Sequence, residues 1–527
     1  MHVIERNKMN FVILQKGQSM ARAPGVRSMG YLAINNWDDY SFKTTFYLTF
    51  IDAHGTEHDL GDLKVGYVNQ PHGWSVAEMS ESFSALPDQF FSLGQSVEYY
   101  SKIRELPFKE RKALLVALRD MVFDQTILSA VADERVFRDS LTRSVNYNSI
   151  AGQFKRVLEG GVELTEYKFT YRTLTTDTRA GFSLNFHVQP DKRPSRNLHV
   201  LIGRNGIGKT TLLNGMIEAL VAPMRTVDTS GEFLDVSSFK PSVIEAGYFS
   251  HVVSVSFSAF DPFAPPPERL GKTDEIRYSY IGLKDVSNDT RKGSHVHKDI
   301  HGLRDDFVNS LAGCFGLTTK RERWLTAIQF LESDVNFAEM DLSRLTQSPQ
   351  EELQERAGKL FTEKMSSGHA VVLLTITKLV ERAEEKTLVI MDEPESHLHP
   401  PLLSAFTRAI ADLLNKINGV AIIATHSPVV LQEVPRSCVW KLYRTRLVSE
   451  SERPEIETFG ENVGTLTREV FGLQVSKSGF HSLLQESVAE GKSYDQILLE
   501  YDEQLGLEAR ALLRALIANR GRQTGEI

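Results

Sequence analysis

The chain has 527 residues, of which 41% are hydrophobic and 24% charged, and 68 acidic against 60 basic side chains leave a formal net charge of −8. This length allows about three domains, or one large domain with insertions. The charge argues against a protein coated with basic residues for nucleic-acid binding, although it permits a local basic patch.

The two cysteines, Cys314 and Cys438, form no CxxC pair, which excludes a disulfide framework and a cysteine-built zinc site. No apolar run approaches the roughly 18 residues that span a bilayer, and the N-terminus lacks a signal-peptide pattern, so we expect a cytoplasmic protein without membrane contact.

The N-terminal part divides into a strand-rich and a helical segment. Residues 28–68 alternate apolar and polar positions, which predicts a small antiparallel strand region with a hairpin turn at Gly55. From about 78 to 158 apolar residues recur at helical spacing, which predicts a helical insertion. Basic side chains between 102 and 119 are candidates for nucleic-acid contact, but interleaved acids favour a solvated helix face.

The rest of the chain alternates strand and helix patterns. The polar stretch 262–300 predicts an exposed insertion, and its histidines His295, His297 and His301 lack the cysteines and the helical register of a metal site. The predicted strands are 197–202, 251–263, 387–391 and 419–425, and the predicted helical segments are about 209–221, 302–383 and 464–523.

We divide the chain into six segments from these patterns. They are an N-terminal strand lobe (1–77), a helical insertion (78–160), a first core segment (161–260), an insertion with a helical lid (261–360), a second core segment (361–445) and a C-terminal helical region (446–527).

A phosphate-binding loop follows the strand that ends at Ile202. GRNGIGKT fits GxxxxGK[ST] and lies between a strand and a helix, which is the context that this motif requires. Backbone N–H groups of the loop and the helix N-terminus bind phosphate oxygens, Lys209 neutralises phosphate charge, and Thr210 ligates Mg²⁺. The predicted nucleotide-binding residues here are Gly203, Arg204, Asn205, Gly206, Ile207, Gly208, Lys209, Thr210 and Thr211.

Two carboxylates end the buried strand at 387–391. A metal-dependent nucleotide hydrolase needs such groups beside its phosphate loop. We assign Asp392 to the Mg²⁺ shell and Glu393 to the orientation and polarisation of the attacking water. The alternative is a solvated turn, which the phosphate loop upstream makes the weaker interpretation.

A histidine ends the next buried strand, in the sequence ATHSP. His426 at this position can hydrogen-bond the γ-phosphate and report its loss. The alternative is a packed core histidine, and the position of the strand just after the acidic one favours the switch role.

These motifs resemble those of the ATP-binding-cassette ATPases of the RecF, SMC and overcoming-lysogenization-defect type. The resemblance depends on GRNGIGKTT (203–211), MSSGH (365–369), VIMDEPESHLHP (389–400) and ATHSP (424–428), in this order. It implies an α/β fold: a P-loop ATPase head with a mixed central sheet, N-terminal antiparallel strands, helical insertions and a helical C-terminal region. It also implies ATP as substrate, Mg²⁺ as cofactor and ATP hydrolysis as the reaction.

In that superfamily the signature loop of one protomer closes over the nucleotide of the other. By resemblance, Ser366, Ser367 and Gly368 of MSSGH contact the γ-phosphate in trans, which implies a homodimer or higher oligomer formed through the ATPase heads. MSSGH also reads as a plain helix N-cap, and both interpretations can hold because such a cap directs N–H groups at phosphate.

Three further contacts of the family are assigned by resemblance, and one of them, the Q-loop glutamine, has no counterpart in this sequence. The strand at 251–258 is not followed by the family's glutamine, so Ser258 or Asp261 would replace it. His397 and His399 lie in the region of the family's D-loop, at the dimer interface. The candidates for stacking on adenine are Trp37, Tyr40 and Phe42, in the N-terminal strand region.

The branch within the superfamily follows from what surrounds the motifs. Lys209 and Asp392 lie 183 positions apart without heptads, which excludes long-armed SMC proteins, and ATHSP with its insertions disfavours transporter cassettes. Glu490 and Gly491 resemble the first motif of a Toprim nuclease, but they follow helical sequence and no DxD pair comes after them. We therefore expect no intrinsic nuclease.

The whole length is similar to the ATPase subunits of the Septu anti-phage system, the PtuA family, including the form that accompanies retrons. In that family the ATPase assembles with a separate HNH nuclease subunit, PtuB-like, and in the retron version with a reverse transcriptase and its RNA-linked DNA. The resemblance implies an ATPase that restrains the nuclease until phage activity perturbs ATP or nucleic acid.

Two other functions remain open on the sequence. One is a DNA-repair or recombination clamp that binds DNA through Lys320, Arg321, Arg323 and the basic 102–119 segment, against which the net charge argues mildly. The other is a scaffold in which slowly hydrolysed ATP acts as glue. The C-terminal helices at 464–523 either dock a partner or cover the sheet.

Overall fold

The computed structural model describes most of the chain between residues 9 and 524. No helix within this described part combines the length and the apolar composition that crossing a bilayer requires. The gaps in the description are residues 16–17, 19, 21–24, 146, 148, 161–163, 178–179, 191, 222–229, 246, 259–260, 270–275, 287–296, 446 and 476–478.

A six-stranded sheet forms the N-terminal part. The predicted hairpin is present, with the turn at Gly55 in the left-handed conformation at φ +89°. The order is β7-β1-β2-β4-β5-β8, antiparallel except for β1 and β2, and β3 pairs separately with β6. The strands are β1 (Asn10–Leu14), β2 (Met29–Ile34), β3 (Phe42–Lys43), β4 (Thr45–Ile51), β5 (Glu57–Tyr67), β6 (Gly73–Trp74), β7 (Ser82–Phe83) and β8 (Phe90–Gly94).

The segment from 78 begins with strands, contrary to the expected helix. Ser82–Phe83 and Phe90–Gly94 complete the N-terminal sheet, and all five residues of the second strand are buried against β5. Such a short, buried and mostly apolar run (FFSLG) carries no periodicity that separates strand from helix. The predicted helices follow and share one apolar core with the sheet. They are α1 (Val97–Glu105), α2 (Phe108–Ala117), α3 (Gln125–Val131), α4 (Lys155–Glu159) and two π-helical turns (Phe137–Leu141 and Ser149–Phe154).

A seven-stranded sheet forms the centre of the molecule, and it confirms the predicted α/β fold with a mixed sheet. Its order is β15-β14-β16-β17-β11-β18-β19, and all neighbours are parallel except the last pair. A four-stranded antiparallel sheet, β10-β9-β12-β13, packs against the helix that follows the phosphate loop. The strands are β9 (Tyr167–Arg172), β10 (Ser183–Val188), β11 (Leu198–Ile202), β12 (Glu232–Asp235), β13 (Ser242–Val243), β14 (His251–Ser256), β15 (Arg277–Gly282), β16 (Thr387–Asp392), β17 (Val420–Thr425), β18 (Val439–Thr445) and β19 (Val448–Glu452).

The expectation of a wholly exposed insertion at 262–300 is wrong in its middle. Residues Arg277–Gly282 form the edge strand β15 of the central sheet, and five of these six residues are buried. The run RYSYIG contains polar residues at inward positions, so its apolar pattern is too weak to predict a buried strand.

Helices cover the central sheet on the side opposite the antiparallel one, as expected for 302–383. They enclose the largest core, around Trp324, Leu373 and Ile410. They are α6 (Ile300–Phe315), α7 (Thr318–Leu331), α8 (Val335–Met340), α9 (Gln350–Glu363), α10 (Ser367–Arg382), α11 (Pro400–Lys416) and α12 (Pro428–Leu431), with short 3-10 turns at Leu342–Gln347, Pro394–His397 and Arg436–Cys438. Helix α5 (Lys209–Val221), which follows the phosphate loop, instead packs in the core shared with the antiparallel sheet.

The C-terminal helices divide into two groups. Helix α13 (Val463–Val475) packs on the main core through Leu466 and Val470. The following helices enclose a small core of their own, formed by Leu484, Val488, Ile497 and Leu513. These helices are α14 (Phe480–Ala489), α15 (Tyr494–Glu500) and α16 (Leu507–Thr524).

Candidate active site

Three neighbouring strands bring the predicted site together at one edge of the central sheet. Strand β17 lies between β11 and β16, and all three run parallel. In the register of the sheet, Ile202 pairs with Thr425, and Asp392 pairs with Ala424. The phosphate loop, His426 and Glu393 therefore leave the sheet side by side, although up to 223 positions separate them in the sequence.

The phosphate loop has a backbone that only glycine accommodates at three points. Gly206 and Gly208 are left-handed, with φ of +82° and +99°. A Cβ atom at Gly203 would lie 2.6 Å from the carbonyl oxygen of Leu442 and 2.7 Å from Cδ1 of Ile207. Ile207 is buried and anchors the loop, whereas Arg204, Asn205 and Thr211 are exposed.

Lys209 is buried at the start of helix α5. Its ammonium group donates to the carbonyl oxygens of Gly203 and Arg204, at 2.9 and 3.3 Å. Burial lowers the pKa of Lys209, while the carboxylates of Glu393 and Asp392 act in the opposite direction. The ammonium group therefore lies inside the loop, close to both acids that follow β16.

Thr210 and Asp392, the two residues predicted to bind Mg²⁺, lie side by side, and we call them the metal pair. The Thr210 side chain hydrogen-bonds the Asp392 carboxyl group, and burial raises the pKa of Asp392 to about 6. Atom Oδ1 of Asp392 is buried and has no hydrogen-bond partner among the described residues. An unpartnered buried carboxylate oxygen beside a threonine hydroxyl fits the oxygen ligands that Mg²⁺ requires.

Glu393 and His426 face each other next to the metal pair. Glu393 is a non-glycine residue at φ +44°, and its backbone N–H donates to the carbonyl of Ala424 at 2.9 Å. Nδ1 of His426 lies 3.7 Å from Oε1 of Glu393. Both side chains are partly exposed, so water can reach them. A strained, sheet-anchored carboxylate beside a metal pair is a feature of functional sites.

Glu395 is a site residue that the sequence analysis missed. Its side chain is only 8% exposed, and Oε1 accepts hydrogen bonds from the Thr425 hydroxyl at 2.6 Å and the His426 N–H at 2.7 Å. The sequence feature that could have indicated Glu395 is a second acid two positions after Glu393, at the start of the turn Pro394–His397. Glu395 connects the acidic strand to the histidine strand.

Arg444 is a second residue that the motifs did not indicate. Its guanidinium Nη1 lies 3.5 Å from the position that a Cβ of Gly208 would occupy. Strand β18 pairs directly with β11, which explains why this cation lies beside the phosphate loop.

The signature residues lie apart from the phosphate loop. Ser366 caps helix α10, and both Ser366 and Ser367 are exposed. Gly368 is buried, and a Cβ there would lie 2.3 Å from the carbonyl oxygen of His397. Within the described residues neither serine hydrogen-bonds the loop at 203–211. The helix N-cap interpretation is therefore confirmed for Ser366, whose hydroxyl accepts the N–H of His369.

The position of the family's glutamine is occupied by an acid. Asp261 acts electrostatically on Asp392, and its backbone carbonyl accepts a hydrogen bond from Lys284 at 2.7 Å. Ser258 is half-buried. Of the two replacements considered from the sequence, Asp261 is the one that the structure links to the metal pair.

The adenine-stacking candidates do not fit that role. Phe42 is fully buried in the N-terminal core. Trp37 donates to Asp39 at 2.8 Å and packs on Gly316, and Arg143 lies over the rings of both Trp37 and Tyr40. Phe42 lies in β3, which pairs with β6, and Trp37 and Tyr40 lie between β2 and β3, whereas the antiparallel sheet beside the phosphate loop is β10-β9-β12-β13.

Several of the cations proposed for DNA contact are already engaged. Lys320 is buried and its ammonium group donates to the carbonyl of Glu381, while Arg323 pairs with Glu98 at 2.9 Å. In the 102–119 segment, Lys102 donates to the carbonyl of Asp59 and Arg119 pairs with Asp88.

Of the histidines in the insertion, His297 and His301 belong to no described metal-binding group, and His295 lies outside the described residues.

Three comparisons with known proteins found similar chains, and one of them matches an ATPase-type domain. A family model described as "AAA domain, putative AbiEii toxin, Type IV TA system" matches residues 267–432. Protein ea59 of Escherichia phage lambda is 44% identical over 531 residues, covering 97% of this chain and 99% of ea59. An ATP-binding cassette of an ABC transporter in its ADP conformation has a TM-score of 0.30 at 12% identity, over 59% of this chain and 99% of that cassette. For UvrA2 from Deinococcus radiodurans the TM-score is 0.26 at 13% identity, over 55% of this chain and 37% of UvrA2.

The family model contains the acidic strand and His426 but not the phosphate loop. The assignment of the loop therefore depends on its sequence pattern and on the geometry described above.

Proposed function

The chain belongs to the family of the phage lambda protein ea59 and contains an AAA-type P-loop ATPase domain, and we propose that it is a Mg²⁺-dependent ATPase that controls a partner HNH nuclease in anti-phage defence. The observation that carries the ATPase assignment is the convergence, at the carboxyl ends of three adjacent strands, of Lys209 after β11, Asp392 and Glu393 at the end of β16, and His426 after β17.

Each residue of this site has a role in ATP hydrolysis. Lys209 leaves the loop carbonyls and neutralises the phosphate charge, because an ionised phosphate oxygen is a stronger acceptor than a peptide carbonyl. Thr210 and Asp392 would hold Mg²⁺, which stabilises the charge that develops on the phosphates. Glu393 orients the attacking water, and His426 contacts the γ-phosphate.

Two copies of the chain complete each site. Ser366 and Ser367 lie exposed at the N-terminus of the 16-residue helix α10, without a bond to their own phosphate loop. The free N–H groups of such a helix end bind anions. A head-to-tail pair of ATPase heads would bring these groups to the γ-phosphate of the other copy.

The defence role has two supports. The description of the matching family model names a putative AbiEii toxin of a type IV toxin–antitoxin system. The sequence resembles the Septu ATPase subunits over its whole length.

The nuclease is proposed to be a separate subunit. In the described residues, Glu490 follows a helix and pairs with Lys492 at 2.7 Å, instead of ending a strand as a Toprim acid would. The cutting activity is therefore assigned to a separate HNH subunit, accompanied by a reverse transcriptase with RNA-linked DNA where a retron is present.

The C-terminal helices are the proposed docking site for the nuclease. Helices α14, α15 and α16 enclose their own core instead of covering the central sheet. They also expose large apolar side chains, and protein interfaces bury such groups. These side chains are Phe480, Leu483, Leu499 and Leu507, which are 42, 53, 66 and 89% exposed.

The DNA-clamp alternative receives less support. Arg323 pairs with a carboxylate and Lys320 is buried, so neither is free to contact a phosphate backbone. ATP-dependent, salt-sensitive DNA binding by the chain alone would restore this alternative.

The test of the ATPase is the Glu393→Gln variant, with the exposed Glu450→Gln as its control. We expect Glu393→Gln to bind ATP but not to hydrolyse it, and Glu450→Gln to do both. Hydrolysis at the parental rate in Glu393→Gln would refute the site.

The test of the defence role is purification of the tagged chain with ATP present. A near-stoichiometric HNH protein supports this role, and repair proteins or chromosomal DNA without a nuclease contradict it.

A further inference from the structure

Three side chains outside the ATPase site converge from separate elements. Asp334 caps helix α8, His369 lies in the first turn of helix α10, and His399 caps helix α11. One ligand atom from each lies within 4.8 Å of the other two. Asp334 and His369 are buried, whereas the His399 side chain is 47% exposed.

The three groups present the ligand atoms that zinc prefers. Nε2 of His369 lies 3.2 Å from Oδ1 of Asp334, and Nε2 of His399 lies 3.1 Å from Oδ2. Ligands held at about 2.0–2.1 Å by one tetrahedral zinc ion lie about 3.3 Å apart. The two histidine nitrogens contact different oxygens of Asp334, so with one carboxylate oxygen as ligand one of the three separations already matches a bound ion, and all three are within 4.8 Å.

Contacts behind the ligands orient two of them. The Ser366 hydroxyl lies 2.6 Å from Nδ1 of His369, so this nitrogen can carry the proton and leave Nε2 with a free lone pair. The N–H of Phe337 donates to Oδ1 of Asp334 at 3.1 Å. Outer contacts of this kind fix the orientation of metal ligands in proteins.

His399 must change one bond to become a ligand. Its Nδ1 accepts the N–H of Leu402 at 3.4 Å, which places the ring proton on Nε2. When Nε2 binds the metal, the ring proton moves to Nδ1. Nδ1 can then no longer accept the N–H of Leu402, which hydrogen-bonds a water molecule instead. This exchange is cheap because the bond is long and the side chain is half exposed.

We propose that Asp334, His369 and His399 bind one divalent transition-metal ion of the zinc class, with a water molecule in the fourth position. The exposed side of His399 provides the entry path, and two imidazoles with one carboxylate form a donor set typical of zinc. The ion would join the signature helix α10 to the residues that follow Glu393. The site stands whether or not the chain hydrolyses ATP.

The experiment uses the full-length chain, stripped with a chelator and without nucleotide. It is dialysed against zinc, and the bound zinc is measured by mass spectrometry. We expect about one zinc ion per chain and a rise in melting temperature. With cobalt(II) in place of zinc, the visible absorption of a tetrahedral site should appear.

Variants assign the zinc to this site. The half-exposed His399→Ala removes a ligand with little disturbance of the core, and Asp334→Asn keeps the volume and the helix cap. Both should lower zinc affinity by at least about 100-fold, because even outer-shell changes lower it about 10- to 100-fold. His397→Ala is the matched control, since His397 is exposed, two positions from His399 and outside the cluster.

Three results would overturn the proposal. They are less than a tenth of an equivalent of zinc on the parental chain, unchanged zinc content in both ligand variants, and a loss in His397→Ala equal to that in His399→Ala. In the first case the three groups act only as a hydrogen-bonded network. Because the readouts are zinc content and absorption, they do not depend on ATPase activity.

Discussion

One carboxylate oxygen of Glu395 accepts the backbone N–H of His426 at 2.7 Å and lies 3.2 Å from Nδ1 of the same residue. The Thr425 hydroxyl donates to this oxygen as well, at 2.6 Å. Glu395 is thus bound to the end of the histidine strand, and it holds the imidazole facing Glu393.

Glu395→Gln should therefore impair hydrolysis without impairing ATP binding. A displaced His426 contacts the γ-phosphate poorly, and a misplacement of about 1 Å can lower a rate about 100-fold. We expect kcat to fall by about this factor and KM to change little, as measured by steady-state phosphate release. Glu450→Gln is the control, and a raised KM with parental kcat would contradict the assignment.

Gly203→Ala should weaken ATP binding. The added Cβ would lie 2.6 Å from the backbone carbonyl of Leu442, and a backbone atom cannot move aside as a side-chain tip can. The loop must shift, so we expect ATP affinity to fall at least about 10-fold in a calorimetric titration. Gly472→Ala is the matched control because nothing lies within 4 Å of its Cβ position. Equal affinities of the two variants would refute this account of the loop.

Lys64→Met should strongly destabilise the N-terminal part. Lys64 and Asp39 are both fully buried and pair at 2.7 Å. Removal of Lys64 leaves the buried Asp39 with Arg143 as its remaining cationic partner, at 3.2 Å, so we expect a loss near the lower end of the about 3–5 kcal/mol that a broken buried pair typically costs. The double variant Lys64→Met, Asp39→Asn should recover part of this loss in thermal unfolding. A Lys64→Met variant as stable as the parent would show that the pair contributes nothing.

Glu385→Gln should change stability in a pH-dependent way. Burial raises the pKa of Glu385 to about 7, and Arg156 and Lys386 only partly oppose this effect. A carboxyl group with a raised folded pKa contributes most below its unfolded value near 4.3, and this contribution is lost as pH rises to about 7. The uncharged glutamine keeps its contribution, so we expect the variant to be more stable than the parent at pH 8 by about 1–3 kcal/mol and similar at pH 4.5. Equal melting temperatures of variant and parent at both pH values would contradict the shift.

The sequence predicts the parts of the site in which a motif adjoins a buried strand. The phosphate loop, Asp392, Glu393 and His426 each end an apolar run, and parallel strands bring such ends to one edge. The α/β fold follows from the same runs.

Other parts have no local signal. Asp334, His369 and His399 meet only because three helices pack together, and 35 and 30 positions separate them in turn. Phe90–Gly94 and Arg277–Gly282 are strands because a neighbouring sheet edge pairs with them, which no window of sequence contains. Trp37 and Phe42 were placed near adenine by analogy, and in the structure they lie in and just before β3 of the N-terminal part, outside the antiparallel sheet beside the phosphate loop.

The position of β11 between β17 and β18 has a consequence for synthesis of the chain. Both strands that pair with Leu198–Ile202 are made roughly 200 residues later. At about 5–20 residues per second, the ribosome needs roughly 10–40 s to supply them. During this interval an apolar strand with two open edges waits beside a finished phosphate loop, and such strands aggregate readily. We therefore expect the growing chain to need protection until β17 has been made, because the three strands that position the candidate site are complete only at residue 425.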